Sequence, residues 1–448
     1  MPPPFFADCW FYERSCRKAE RVVHWLVWLF LTLPVYTHAS GVNISSGRFI
    51  SDSYFGMHIR WGATTPYWPN ARFHTWRVIS GETSWLGLEP EKGKWRFASL
   101  DQAIARAQDN GVEVMLTLGQ TPQWASARPY ENVPNGSGAS AEPANLDDWE
   151  NYIRTVATRY RGKIRYYELW NEPRFREVDP HRAVAGFTGT AKQMVEMGVI
   201  ARRVLSEVDP QAKLVSPAAD AGLPGVKRLK AWLDAGGGKV SDVIAYHVYV
   251  TPPEQIPGVV RALRSLINKY GLSGVEIWNT ESGFLIESPD REAKANGSEV
   301  FGEVLNVEKG AAYVSRSLIL GAASGLDRFF WYSWDIPTMA LTEGKGRVIT
   351  QTGKAYITTQ RWLRGARLNE CNTADDQLWV CSLTRAARKA YLVWATNGTR
   401  AWLPPAGWQI RRSENLQGQA LAVMAGNRIQ VDESPLLLLA DDLPWGSP

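Results

Sequence analysis

Between residue 54 and about residue 335, short apolar or aromatic runs alternate with helix-like stretches, after which brief strand-like runs separated by turn residues take over. The alternation predicts an α/β chain forming a (β/α)8 TIM barrel, and the later change of pattern predicts a small C-terminal β-sandwich domain. A length of 448 residues exceeds one ordinary domain and agrees with two.

The eight candidate barrel strands are 54–61, 75–80, 112–118, 164–171, 213–216, 243–250, 275–281 and 328–333. Seven helical connections and a last helix near 353–364 would complete a closed barrel of ordinary size. In the second connection Ser99 and Gln102 have capping-box spacing, Leu100, Ile104 and Ala107 share a helix face, and Asn110-Gly111 stops the turn. Two connections, 126–148 and 285–309, are longer than a bare barrel needs. Each follows a strand, so each is expected on the C-terminal face, where long loops shape binding clefts.

Beyond residue 364 the runs 377–383, 390–395, 401–403, 428–431 and 436–439 are split by Asn-Gly, Pro-Pro and Gly-Asn, the turn chemistry of an all-β unit. Residues 41–50 are a candidate edge strand for it, and 441–448 reads as a loose tail. The expected plan is therefore 1–39 as an export segment, 40–365 as barrel, 366–440 as accessory sandwich and 441–448 as tail.

Basic residues precede the apolar run 22–33, and Thr37-His38-Ala39 is a small-residue cleavage site, the layout of a signal peptide. A long basic region and His24 inside the apolar run leave an uncleaved membrane anchor as the alternative. Both readings put the mature chain in the periplasm or outside the cell, the anchored form facing the periplasm. The mature part keeps only Cys371 and Cys381, which predicts a disulfide closing a β-hairpin in an oxidising compartment.

The formal net charge is +5, of which +4 remains beyond residue 39. No polybasic run interleaves with aromatics, so nucleic acid is not an expected partner. The 6 histidines form no HExxH pattern, the cysteine pair lacks companion ligands, and no Gly-rich phosphate loop opens a helix. Neither metal nor cofactor is expected. In the anchored reading the N-terminal segment is also a membrane tether; the sequence does not indicate an oligomeric state.

Two runs carry chemistry. Tyr166-Tyr167-Glu168-Leu169-Trp170-Asn171-Glu172-Pro173 ends the fourth strand with a carboxyl, and Val275-Glu276-Ile277-Trp278-Asn279-Thr280-Glu281-Ser282-Gly283 ends the seventh with another. Side chains at those two strand ends can meet over the barrel mouth, and two converging carboxyls are what glycosidic bond cleavage requires. Glu168 lies four residues before Glu172, roughly 13 Å down the strand at ~3.3 Å per residue, and is expected to pair with a barrel arginine instead. Glu276 begins its strand, at the wrong end of the barrel. The 21 tryptophans exceed an ordinary share; most belong in the core, and a surplus suits a groove that stacks on sugar rings.

On these residues the chain resembles the clan A glycoside hydrolases, and family 39 among them. Trp170-Asn171-Glu172-Pro173 is similar to the clan's acid/base signature and Trp278-Asn279-Thr280-Glu281-Ser282-Gly283 to its nucleophile strand. The stretch from Trp85 through Leu88-Glu89-Pro90-Glu91-Lys92-Gly93 and the run Thr121-Pro122-Gln123-Trp124-Ala125 match as well. The resemblance covers about residues 54–364. It implies retaining hydrolysis of a β-linked polysaccharide or oligosaccharide, with Glu172 as acid/base and Glu281 as nucleophile. It further implies that Asn171 bonds the sugar hydroxyl beside the reacting carbon, that Arg77 holds the nucleophile ionised, that Tyr249, beside His247, donates to it, and that Trp334 floors the sugar site, with Trp124 a further substrate contact. Transglycosylation from the same intermediate and a catalytically silent carbohydrate-binding protein are the alternatives.

Overall fold

The computed structural model describes residues 42–180, 186–220, 222–288, 303–336, 339, 341–375, 377–424 and 426–446. The export segment and the middle of the 285–309 connection lie outside them. Among the described residues no helix is long and apolar enough to cross a membrane.

All eight expected barrel strands form: β1 Phe55–Met57, β2 Thr75–Val78, β3 Glu113–Thr117, β4 Tyr166–Glu168, β5 Lys213–Val215, β6 Val243–His247, β7 Glu276–Ser282 and β8 Arg328–Trp331. Each pairs in parallel with its neighbours, β8 with β1, and Val215 opposite Val243 joins β5 to β6, so the ring is closed. The strands are shorter than their apolar runs because residues beyond the ladder still face the mouth or the helix layer. Met115, Tyr166, Val215, Val243, Ala245, Trp278 and Phe330 fill the barrel interior. Gly56 admits this packing, since a Cβ there would lie 2.3 Å from the Phe330 ring. Below that layer the Arg328 guanidinium lies 4.2 Å from the Trp278 ring centre and 4.7 Å from that of Tyr166.

Helices follow every strand from β2 onward: α1 Trp85–Leu88, α2 Ala98–Asp109, α3 Leu146–Arg159, α4 Ala191–Val208, α5 Gly222–Asp234, α6 Ile256–Lys269, α7 Val307–Ala323 and α8 Gln351–Leu363. The link from β1 to β2 is irregular, so one of the seven expected helical connections is absent; Pro66 and Pro69 each remove a donor there. The expected capping box of α2 is also absent. Phe97 is the N-cap residue without a side-chain cap, and the Ser99 hydroxyl is spent on Glu82 at 2.6 Å. The Thr190–Gln193 pair forms a full capping box at α4 instead.

The C-terminal unit is a seven-stranded antiparallel sheet faced by a two-stranded one. Asn43–Phe49 does form the edge strand, pairing with Arg367–Asp375. Cys371 and Cys381 stand opposite each other on Arg367–Asp375 and Leu378–Arg385 and are joined as a disulfide. Strand alternation splits this sheet's side chains. Cys371, Trp379, Cys381, Leu383, Leu392, Trp394, Leu437 and Leu439 merge with the barrel's outer core, and Leu378, Val393 and Leu438 pack under the small sheet Arg400–Trp402 and Ile429–Val431. The tail is docked rather than loose through residue 446. Trp445 is fully buried, its indole N–H donating to the Trp362 carbonyl at 2.9 Å, and Asp441 pairs with Arg388.

Candidate active site

Glu172 and Glu281 meet over the barrel mouth with His247. One side-chain oxygen or nitrogen from each lies within 4.8 Å of the others. Glu172 follows β4 with φ at 43°, the left-handed region that a non-glycine residue enters at a cost of about 1–3 kcal/mol. The surroundings hold it there: its amide donates to the Ala218 carbonyl at 3.0 Å, and Arg174, clamped on Asp220, donates to its carbonyl at 3.2 Å. Glu281 is re-aimed by an irregularity in β7. Tyr246 faces Asn279 and His247 faces Glu281, leaving Thr280 as the extra residue, its carbonyl 2.8 Å from His58 Nε2.

Each Glu281 oxygen has a dedicated donor. The Tyr249 hydroxyl donates to Oε1 and Arg77 Nη1 to Oε2, both at 2.8 Å. Arg77 is itself fixed from below: Nε donates to Glu168 Oε2 at 2.8 Å, and Thr117 donates to the same oxygen at 2.7 Å. Glu168 is fully buried and pairs with a barrel arginine, as its depth in the strand predicts. Arg77 Nη2 also donates to Asn171 Oδ1 at 2.8 Å. A guanidinium only donates, so the Asn171 oxygen faces it and the amide N–H2 is the group turned to other partners.

His247, fully buried, sits with Nδ1 2.9 Å from Glu172 Oε1. Burial pushes the Glu172 carboxyl up, but the hydrogen bond and charge of His247, with Arg174 and Arg77, bring it below the ordinary carboxylate value. For His247 burial works downward and is outweighed by Glu281 and Glu172, so the imidazole lies above its ordinary value. The two directions agree in favouring the imidazole over the carboxyl as the holder of a shared proton. This trio is also the group of described residues spaced to hold a metal ion. A cation there would have to displace the His247–Glu172, Tyr249 and Arg77 contacts.

The two expected tryptophans are placed otherwise. Trp334 is 1 % exposed, held between the His58 and Thr342 segments, and offers a sugar no ring face. A half-buried aromatic beside Glu281, besides Tyr249, is Tyr332, whose hydroxyl is pushed up to about 12 by burial and then by the Glu281 charge. Period-two alternation through Arg328 and Phe330, both inside the barrel, would have pointed to Tyr332. Trp124 lies on the loop after β3, its indole donating to the Glu89 carbonyl and its ring against Trp85 and Lys92. Among the described residues, none of these partners is Glu172 or Glu281. His58, stacked edge-on to Tyr332 at 5.0 Å, is a site neighbour that the sequence did not single out. The 126–148 connection is well tied, Ser126 to Gly138 at 2.9 Å and Arg128 to Glu142.

Residues 70–155 match a glycoside hydrolase family 42 model described as beta-galactosidase. Endo-1,4-beta-xylanase A of Phanerodontia chrysosporium is 25% identical over 259 residues, 55% of this chain and 58% of that protein, so the chain spans little more than half of that relative. Among solved structures, a GH30 endoxylanase from Clostridium papyrosolvens superposes with a TM-score of 0.58 at 13% identity, covering 90% of this chain and 98% of that one. The GH39 enzyme from Xanthomonas axonopodis pv. citri gives 0.57 at 14% identity, with 88% and 94% covered. The chain is thus a (β/α)8 barrel with an antiparallel C-terminal sheet, similar in fold to glycoside hydrolases, and it brings two carboxylates together at the ends of β4 and β7.

Proposed function

We propose that the chain is a retaining glycoside hydrolase that cleaves β-linked polysaccharide or oligosaccharide by double displacement. The observation that carries this reading is the approach of Glu172 and Glu281, with oxygens inside 4.8 Å. Retaining enzymes hold their carboxyls about 5–5.5 Å apart, whereas inverting ones need about 6.5–9.5 Å to admit a water. Glu281, capped by one donor on each oxygen, attacks the anomeric carbon. Glu172 gives the leaving oxygen its proton and then takes one from the water that opens the glycosyl-enzyme. His247, whose Nδ1 lies 2.9 Å from Glu172 Oε1, passes a proton to that carboxylate as the glycosidic oxygen arrives. The Asn171 amide, oriented by Arg77, donates to the hydroxyl next to the reacting carbon.

Xylan is the first substrate to test, because curated relatives matching half the chain or more are named endo-1,4-beta-xylanases. Bacterial exopolysaccharide is the next, in keeping with the family 39 motifs. Export fits the Cys371–Cys381 disulfide. Time-resolved NMR of the first product anomer tests the mechanism: the β-anomer is expected first, and the α-anomer appearing first removes Glu281 as nucleophile.

A further inference from the structure

The large antiparallel sheet packs one face on the barrel, and part of its other face is left uncovered by the small sheet. There a cavity of about 430 Å³ opens, lined by Asn372, Ser382, Thr384, Lys389, Tyr391 and Trp408 among others, within the range of small-ligand sites, about 300–1,000 Å³. Its floor is a cross-strand row. Glu370 stands opposite Ser382 and Ser382 opposite Tyr391, while Thr384 stands opposite Lys389. At ~4.8 Å between strands the row spans about 10 Å, room for a disaccharide.

Three observations give the cavity its chemistry. Tyr391 and Trp408 stack in parallel with ring centres 3.5 Å apart, and both remain half-buried beside the cavity. Asn372 Oδ1 is buried with no hydrogen-bond partner among the described residues, an acceptor whose desolvation is uncompensated until a donor arrives. The charged groups, Glu370 and Lys389, are of opposite sign and both exposed. Aromatic edge, hydroxyls, amides and no net charge match a neutral sugar chain, which presents C–H faces and hydroxyl donors together.

We infer that this groove is a second saccharide-binding site, holding a neutral stretch of the polymer that the barrel is proposed to cut. It is separate from the catalytic carboxylates, because alternation puts it on the face opposite Cys371, Trp379 and Leu383, which join the barrel core. The choice of ligand rests on the proposed hydrolysis; the binding does not.

The test is native gel electrophoresis of the full chain through dissolved arabinoxylan, mixed-linkage β-glucan or a neutral exopolysaccharide, with an aryl β-glycoside assay alongside. Retardation by at least one polymer is expected to persist in Glu281→Gln. It should weaken about tenfold in apparent affinity in Ser382→Trp, which fills the groove, and in Trp408→Ala, which removes its wall. Aryl-glycoside turnover within about twofold of the parent shows that these variants are folded; circular dichroism does so if the parent proves inactive. Absence of retardation in every polymer, or retardation surviving both groove variants, overturns the inference. A parent that is retarded but hydrolyses nothing refutes the hydrolase reading and leaves the groove standing.

Discussion

The Tyr249 hydroxyl donates to Glu281 Oε1 across 2.8 Å, from a position two residues beyond the end of β6. Removing it leaves Oε1 without its donor while Arg77 still holds Oε2. A hydrogen bond to a charged group contributes about 1.5–3 kcal/mol, so Tyr249→Phe is expected to lower kcat/KM by about 10- to 100-fold. Steady-state kinetics on the best glycan found decide it. An unchanged kcat/KM would detach Tyr249 from the chemistry.

The His247–Glu172 pair is expected to set the alkaline limb of the pH profile. His247 lies above its ordinary value and Glu172 below its own, so the pair keeps its proton until pH passes the raised imidazole value and loses activity above it. In His247→Phe the proton has only Glu172 to occupy, with burial still favouring the neutral acid. The alkaline limb of kcat/KM, measured on a substrate with a poor leaving group, is expected to move to lower pH. A limb that stays in place assigns the proton elsewhere.

On the proposed mechanism Glu172→Ala removes both the acid for glycosylation and the base for deglycosylation, and a loss of about 10²- to 10⁴-fold in kcat/KM is expected. Azide needs no base, so added azide should restore turnover and yield a β-glycosyl azide, identifiable by NMR. A folded variant that azide does not rescue would argue against Glu172.

Cys371 and Cys381 face each other across two paired strands, and their link shortens the unfolded chain by only a small loop. Replacing both with serine is expected to cost about 2–3 kcal/mol of stability, read as a lower unfolding midpoint under non-reducing conditions. Titration of the native secreted protein should find no free thiol from this pair.

The barrel was legible because its strands are buried on both faces and so read as short apolar runs, such as Val-Ile-Ala-Tyr-His in β6. Arg367–Asp375 escaped notice because its outward residues, Asn369 and Glu370, are polar and its inward ones include Cys371 and Thr373, which imitates a linker. Motif spacing brought Glu172, Glu281, Arg77, Asn171, His247 and Tyr249 to one place. It carried no sign of the left-handed Glu172 backbone or the irregularity at Thr280, since both arise from pairing with distant strands. Trp334 stands for the aromatic floor on resemblance alone, yet the inward face of β8 is set by alternation, which points to Tyr332.

The indole of Trp445 and the sheet faces that join the barrel core make the two halves poor candidates for separation. A fragment ending at residue 365 would present to water the apolar barrel surface now packed against Trp379, Trp394 and Leu437, an adhesive patch. Grafting this barrel into another enzyme, or borrowing its sheet as a detachable tag, therefore means carrying both together, down to the last few residues of the chain.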